Sequence, residues 1–278
     1  MSDLYLCSFA SPDLYPSVKR FLYQSKNMGV YNSIKVFGYN DLSKKKINQI
    51  NKFLIHKKRL FGYACWKPDI ILSYLKKIPK NSILQYSDIG CHLNKKGIKK
   101  LIDYKRLTIK KNILAFQYFK PKFKTRRHLK YQVYYENQFT KNDLFEYLNI
   151  SKKSKIRFTE QFWSGSIFFK NSQYTIKFLK KWMDICNKSR LIDDTPSKTN
   201  NDHDFIEHRH DQSVFSLLCK LNKIYSLSAS ECEWAEDANG RYWSHLELNP
   251  ILAKRDKKKF FLKRFFDRQS KNLKKIFN

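Results

Sequence analysis

Short apolar runs alternate with amphipathic stretches along most of this chain. Residues 4–10 form an apolar run that closes on small residues and predicts a first strand. Residues 15–24 are mildly amphipathic and predict a helix, residues 33–39 a second strand, and residues 42–58 a basic helix. Apolar Ile70, Ile71, Leu72 and Leu75 predict a helix over residues 68–75, with Pro68 in its first turn, where the missing N–H costs nothing. Residues 82–86 read as a buried strand and run directly into Ser87-Asp88-Ile89-Gly90-Cys91. Further along, a strand is expected at 113–118, a helix at 140–148 opened by a cap with Asp143 in its first turn, a short strand at 167–169 and a helix at 173–185. The polar stretch 191–204, with Pro196, Asn200 and Asn201, reads as a loop. It delivers the chain into Phe205-Ile206-Glu207-His208-Arg209-His210-Asp211-Gln212-Ser213, after which Val214, Phe215, Leu217 and Leu218 set a helical apolar spacing.

Strands and helices alternating at this length predict an α/β fold with a mixed, mostly parallel central sheet flanked by helices. In such sheets ligands bind beyond the carboxyl ends of the strands, which marks Asp88 by position as well as by type. A chain of 278 residues can bury a full core, and no internal repeat or linker divides it. Residues 1–255 are therefore expected to form one domain, followed by a basic amphipathic tail at 256–278.

Composition narrows the classes. Phe (22) and Tyr (17) far outnumber Gly and Pro (7 each), which excludes a linker-rich or collagen-like chain. The six cysteines are scattered without Cys-x-x-Cys or Cys/His spacing, so structural zinc is not expected and buried reduced thiols are. A formal charge of +32 resembles a nucleic-acid signal, but the lysines are spread over the whole chain, as on solvated faces. The density is highest from Lys254 to Asn278, with eleven Lys/Arg against Asp256 and Asp267. There Leu262, Phe265, Phe266, Leu273, Ile276 and Phe277 fall close to one helical face. Such a segment suits a helix packed on the body with a solvated basic face, an interfacial helix on an anionic leaflet, or a nucleic-acid contact. With no apolar run approaching 18 residues and no basic leader, a cytoplasmic protein is expected, peripheral on the inner face of the membrane if the tail binds it.

Several residues could carry chemistry. Asp88 at a strand mouth can bind a divalent ion or a ribose, or merely cap a turn. Gly90 permits close backbone approach. Lys67 puts a cation near a helix start, against the helix dipole, which a bound phosphate would relieve; a plain surface lysine is the alternative. Trp163-Ser164-Gly165-Ser166 brings small residues before a strand, where Gly165 either lets a ligand pass or simply turns the chain. Asp211 and Gln212 open a helix whose N–H groups face solvent or ligand, with His208 and His210 alongside. A GxSxG elbow is absent, so a serine triad is not expected.

Three stretches taken together resemble bacterial nucleotide-sugar glycosyltransferases of capsule and lipopolysaccharide assembly with a GT-A-like, Rossmann-like fold. They are Phe61-Gly62-Tyr63-Ala64-Cys65-Trp66-Lys67-Pro68, then Ile83-Leu84-Gln85-Tyr86-Ser87-Asp88-Ile89-Gly90-Cys91, and Asp193-Asp194-Thr195-Pro196-Ser197 leading to the 205–213 segment. The resemblance implies transfer of a hexose or N-acetylhexosamine from a UDP-sugar to a glycan or lipid-linked glycan acceptor. It carries Asp88 onto the first acid of an Asp-x-Asp motif that holds Mn²⁺ or Mg²⁺; Gly90 stands where the second acid is expected, so lysine and arginine are the alternative charge partners of the diphosphate.

The same resemblance places Asp211 on the sugar hydroxyls and Gln212 near the anomeric carbon, an arrangement often found with retention at that carbon; Glu207 or His210 is the candidate base if the reaction inverts instead. Phe9 and Ala10 at the end of the first strand, Arg59, Lys67, Asp88, Gly165, His208 and Arg209 are expected around the nucleotide sugar. Two other readings stay open. One is a glycan- or sugar-nucleotide-binding protein without turnover, suggested by Gly90. The other is a nucleic-acid binder, which the charge suggests but which leaves Asp88 and the 205–213 cluster unexplained, so nucleic acid is not expected as the partner.

Overall fold

The computed structural model describes residues 2–56, 60–121 and 129–255. Six strands build the central sheet: β1 (Leu4–Phe9), β2 (Ser33–Phe37), β3 (Ile83–Ser87), β4 (Ile113–Gln117), β5 (Phe162–Lys170) and β6 (Tyr225–Ser228). Their order is β2-β1-β3-β5-β4-β6. Strand β1 runs parallel to β2 and β3, and β4 parallel to β6, while β5 is antiparallel to both β3 and β4. This is the mixed, mostly parallel, helix-flanked sheet that the pattern predicts.

Period-two alternation explains why the strands are buried on both sides. In β1, Leu4 and Leu6 face one core cluster and Cys7 and Phe9 the other; in β5, Phe168 faces the first and Ile167 and Phe169 the second. Helices α1 (Pro16–Met28), α2 (Lys44–His56), α3 (Lys67–Leu75), α4 (Ile98–Lys111), α5 (Gln173–Cys186) and α6 (Asp211–Leu221) then cover the two faces. Phe21 of α1 and Leu101 and Tyr104 of α4 join the first cluster. Ile71 of α3, Trp182 of α5 and Phe215 of α6 join the second.

Two local departures from the expected elements have physical causes. Strand β5 spans nine residues and takes in Trp163-Ser164-Gly165-Ser166, rather than starting at 167. Those small residues are buried in the sheet, where Ser166 Oγ donates to the Tyr86 carbonyl at 2.9 Å. Gly165 makes room for the Trp163 indole: a Cβ there would lie 2.3 Å from it. The helix expected at 140–148 covers only Asn142–Tyr147 and has no side-chain cap, because Thr140 Oγ1 donates instead to Glu136 Oε2 at 2.8 Å. Helix α4 and strand β6, finally, are elements that the pattern left unassigned.

The antiparallel run of β5 shapes the mouth of the sheet. It pairs Ser166 with Ser87 and Phe162 with Gln117, so its first half lies against the carboxyl ends of β3 and β4. Small residues therefore line the edge where an α/β sheet offers its ligand crevice.

Candidate active site

A cleft of about 990 Å³ opens at that edge. Phe9, Phe61 and Trp66 form one wall, with the Phe9 and Trp66 rings stacked at 3.9 Å. Asp88, Ile89 and Gly90 lie at its middle, and Tyr118, Tyr134 and Arg209 form the far wall. The strand order fixes this layout, since β1, β3, β5 and β4 follow one another across the sheet.

The floor is built around one buried lysine. Lys67 starts α3, and its Nζ lies 2.9 Å from Asp211 Oδ2 and 3.4 Å from Asp88 Oδ1. It also donates to Ser164 Oγ at 3.2 Å and to the Ser164 carbonyl at 3.3 Å. The cation that looked misplaced at a helix start is thus held by two carboxylates from other elements. Burial alone would lower the Lys67 pKa, but Asp211 and then Asp88 reverse this and raise it.

The two acids differ sharply in environment. Asp88 leaves β3 in a turn pinned by its own N–H donating to the Gly165 carbonyl at 2.8 Å, and by the Cys91 N–H donating to the Asp88 carbonyl at 2.9 Å. Tyr86 Oη donates to its Oδ1 at 2.6 Å, and 44% of its side chain is exposed. The Asp211 side chain is only 4% exposed. Ser164 Oγ donates to its Oδ2 at 3.0 Å, and Trp182 Nε1 donates to its carbonyl at 3.2 Å. Burial pushes the Asp211 carboxyl pKa up, against the pull of Lys67.

Gln212 sits beside this pair in the cleft wall, donating through Nε2 to Gln161 Oε1 at 3.1 Å. Behind it, Gln161 Nε2 donates to Glu136 Oε2 at 3.0 Å and Thr140 Oγ1 at 3.1 Å, and fully buried Glu136 is paired with Lys220 at 2.9 Å. This polar network fixes the start of α6. Glu136, Gln161 and Trp182 carry no signal in the sequence that marks them for the site. Ser164 stands out there only as one of a run of small residues, and not as a partner of Lys67 and Asp211.

Of the residues singled out from sequence, Phe9, Lys67, Asp88, Glu207, Arg209, His210, Asp211 and Gln212 all line this cleft. Gly165 lies just behind it, touching the site through its carbonyl and through Trp163. Ala10 and His208 sit off the cleft. Ala10 is buried and donates its N–H to the Phe37 carbonyl at 2.9 Å. His208 is engaged by backbone on both sides, accepting the Lys141 N–H at Nδ1 and donating from Nε2 to the Leu191 carbonyl. His210 is buried at φ 55°, the left-handed region, immediately before α6. Its Nδ1 donates to the Ile192 carbonyl at 2.7 Å and its ring packs on Tyr63 at 4.6 Å. The acids at 193 and 194 support this corner: Asp193 pairs with buried Lys141 at 3.2 Å, and Asp194 lies 3.8 Å from His210 Nε2. Arg59 and the 256–278 tail lie outside the described residues.

Among the described residues no three His, Cys, Asp or Glu side chains gather as a metal cage. Asp88 offers a single half-exposed carboxylate, one of whose oxygens is taken by Tyr86 and Lys67. That donor set fits an ion carried on a diphosphate with most of its own shell, the mode magnesium prefers, and not an ion bound by protein alone. No helix among the described residues is long and apolar enough to cross a membrane.

No protein-family profile and no curated protein matches the chain. Solved structures similar to it include a glycosyltransferase involved in glycosylation of the major capsid of PBCV-1, at 11% identity and a TM-score of 0.46, covering 90% of this chain and 91% of that one. Mouse xyloside xylosyltransferase 1 is similar at 10% identity and a TM-score of 0.41, covering 83% and 87%. So is 4-diphosphocytidyl-2C-methyl-D-erythritol synthase from Anaerococcus prevotii, at 10% identity and a TM-score of 0.34, covering 82% and 89%. Likenesses this distant assign the chain no activity.

Proposed function

We propose that this protein is a glycosyltransferase that moves a hexose or N-acetylhexosamine from a UDP-sugar to a glycan acceptor. The observation that carries the reading is the convergence of Asp88 and Asp211 on Lys67 at the floor of a cleft of about 990 Å³, with Gln212 next to them. Glycosyl transfer needs three things there: stabilised charge on the departing diphosphate, fixed sugar hydroxyls, and an acceptor oxygen held against the anomeric carbon.

The chain's residues divide that work. Phe9, Phe61 and Trp66 give the base and ribose an aromatic wall, and Asp88 meets the ribose or the diphosphate. A divalent ion bound with the donor would be held by Asp88 and would supply charge stabilisation to the leaving diphosphate. Lys67 holds Asp211 in place, and Asp211 with Gln212 orients the sugar. Glu207 is the exposed acid on the acceptor side, 39% exposed, and is the base for an inverting course. The acceptor is proposed to be a lipid-linked or surface-polysaccharide glycan, reached at the inner membrane face through the basic segment 256–278.

The test is a thermal-shift panel of nucleotide sugars with and without Mn²⁺. One UDP-sugar should stabilise the protein more than UDP-free buffer does, and the ion should add to that shift. If no nucleotide sugar shifts the transition under either condition, the reading fails.

A further inference from the structure

The far wall of the cleft holds a charged group that the donor side does not use. Tyr118 follows β4, with its N–H donating to the Gln161 carbonyl at 2.9 Å and its Oη donating to Glu233 Oε1 at 3.1 Å. Its ring meets Tyr134 edge-on at 4.7 Å, and Tyr134 meets Phe139 at 5.2 Å. Into this aromatic corner fits the Arg209 guanidinium, 3.8 Å from the Tyr134 centroid and 3.9 Å from that of Phe139.

The Arg209 side chain is only 21% exposed, yet its guanidinium makes no hydrogen bond to any described residue. The nearest acid, Glu207, stands 3.7 Å from Nε, beyond hydrogen-bond distance. The rings compensate the charge through their faces but not the N–H groups, which radiate in the guanidinium plane. The guanidinium nitrogens are not among the fully buried polar atoms, so the rings hold in place a fork of donors that stays open to the cleft and takes its acceptor from solvent or from a ligand. Arg255 on the same wall is different, being already paired with buried Glu233.

Position separates this fork from the nucleotide side. Strand β4, which leads into Tyr118, is two strands from β3 and Asp88, or about 10 Å, on the side away from β1 and Phe9. We infer that Arg209 anchors an acidic group on the acceptor, a carboxylate or a phosphate borne by a sugar. That the anchored molecule is the acceptor rests on the proposed donor site at Asp88 and Asp211. A carboxylate or phosphate presents two oxygens that match the guanidinium fork.

The experiment is ligand-observed NMR with three probes: methyl β-D-glucuronide, glucose 6-phosphate and, as the neutral control, methyl β-D-glucoside. Wild type, Arg209→Lys and Arg209→Gln are compared, with UDP thermal shifts measured on the same samples. At least one acidic probe should bind wild type about tenfold more tightly than the neutral one. Which one does so tells carboxylate from phosphate. Arg209→Gln should erase the preference, while Arg209→Lys, which keeps a charge without the fork, should retain part of it for phosphate only; the UDP shift should be equal in all three proteins. Equal binding of acidic and neutral probes to wild type overturns the inference. So does loss of the UDP shift in Arg209→Gln, which would put the guanidinium on the donor diphosphate. If the acid preference and its loss in Arg209→Gln are seen without any UDP shift, the anchor stands and the donor reading falls.

Discussion

Asp88 and Asp211 lean on one ammonium from different elements, yet they occupy unlike places. Asp88 sits in an open turn, nearly half exposed, with its backbone pinned to β5. Asp211 sits in the first turn of α6 with its carboxylate closed off by Lys67 and Ser164 and its carbonyl bound by Trp182. An exposed acid can exchange protein partners for a ligand at little cost, whereas a buried one is tied to the partner that neutralises it. The difference teaches how the site divides its labour: Asp88 is free to meet an incoming donor, and Asp211 is part of the frame that Lys67 holds together.

The strongest way to break that comparison is to remove the shared cation. Lys67→Met leaves Asp211 as an uncompensated buried charge, so a loss of about 3–5 kcal/mol is expected in urea unfolding. Adding Asp211→Asn to Lys67→Met should recover much of that loss, because the orphaned charge is then gone. A Lys67→Met protein as stable as wild type would mean that the pair does not organise the floor. Next in size is Asp211→Asn alone. It keeps the shape but gives up a charge-assisted bond, for an expected cost of about 1–3 kcal/mol.

How much of this was legible beforehand depends on which forces are local. The strands β1 to β4 and the start of α6 show in the pattern because apolar spacing and cap positions are properties of neighbouring residues. Asp88 was visible for the same reason, as an acid directly after a strand. Helix α4 was not, because its lysines outnumber the few apolar positions, Leu101 and Tyr104, that it buries. The partner of Lys67 could not be read at all: Asp211 reaches it from a distant helix, and only the fold brings the two to 2.9 Å. His208 shows the limit from the other side. A histidine among acids suggests a ligand by type, but its two ring nitrogens are committed to backbone groups that sequence alone does not locate.

Asp88→Asn sharpens the contrast with Asp211 from the side of function. Because its side chain is 44% exposed, its pairing with Lys67 should contribute no more than about 1 kcal/mol to stability. Its effect on turnover should be far larger, a loss of about 100-fold or more, if it meets the diphosphate as proposed. The less buried acid would then matter less for folding than Asp211 while still being indispensable for transfer. Asp88→Asn with full turnover on the identified donor removes Asp88 from the site; Asp88→Asn that unfolds as readily as Lys67→Met removes the contrast.

The smallest expected effect is in the pH dependence of the Lys67 contribution, and it tests which force wins at the floor. Burial by itself would lower the Lys67 pKa, and the two carboxylates raise it above the ordinary value. A lysine whose folded pKa is raised contributes fully below its unfolded pKa, about 10.4, and loses that contribution only as pH climbs beyond it. The stability gap between wild type and Lys67→Met should therefore stay flat from neutral pH to about 10 and shrink above that. If burial outweighed the carboxylates, the folded pKa would lie below about 10.4, the unfolded chain would hold more protons between the two values, and the gap would widen between about pH 7 and 10. Urea unfolding of both proteins at half-unit steps across that range separates the two cases, and a gap that widens below about pH 10 would show that Asp88 and Asp211 do not hold the proton on Lys67.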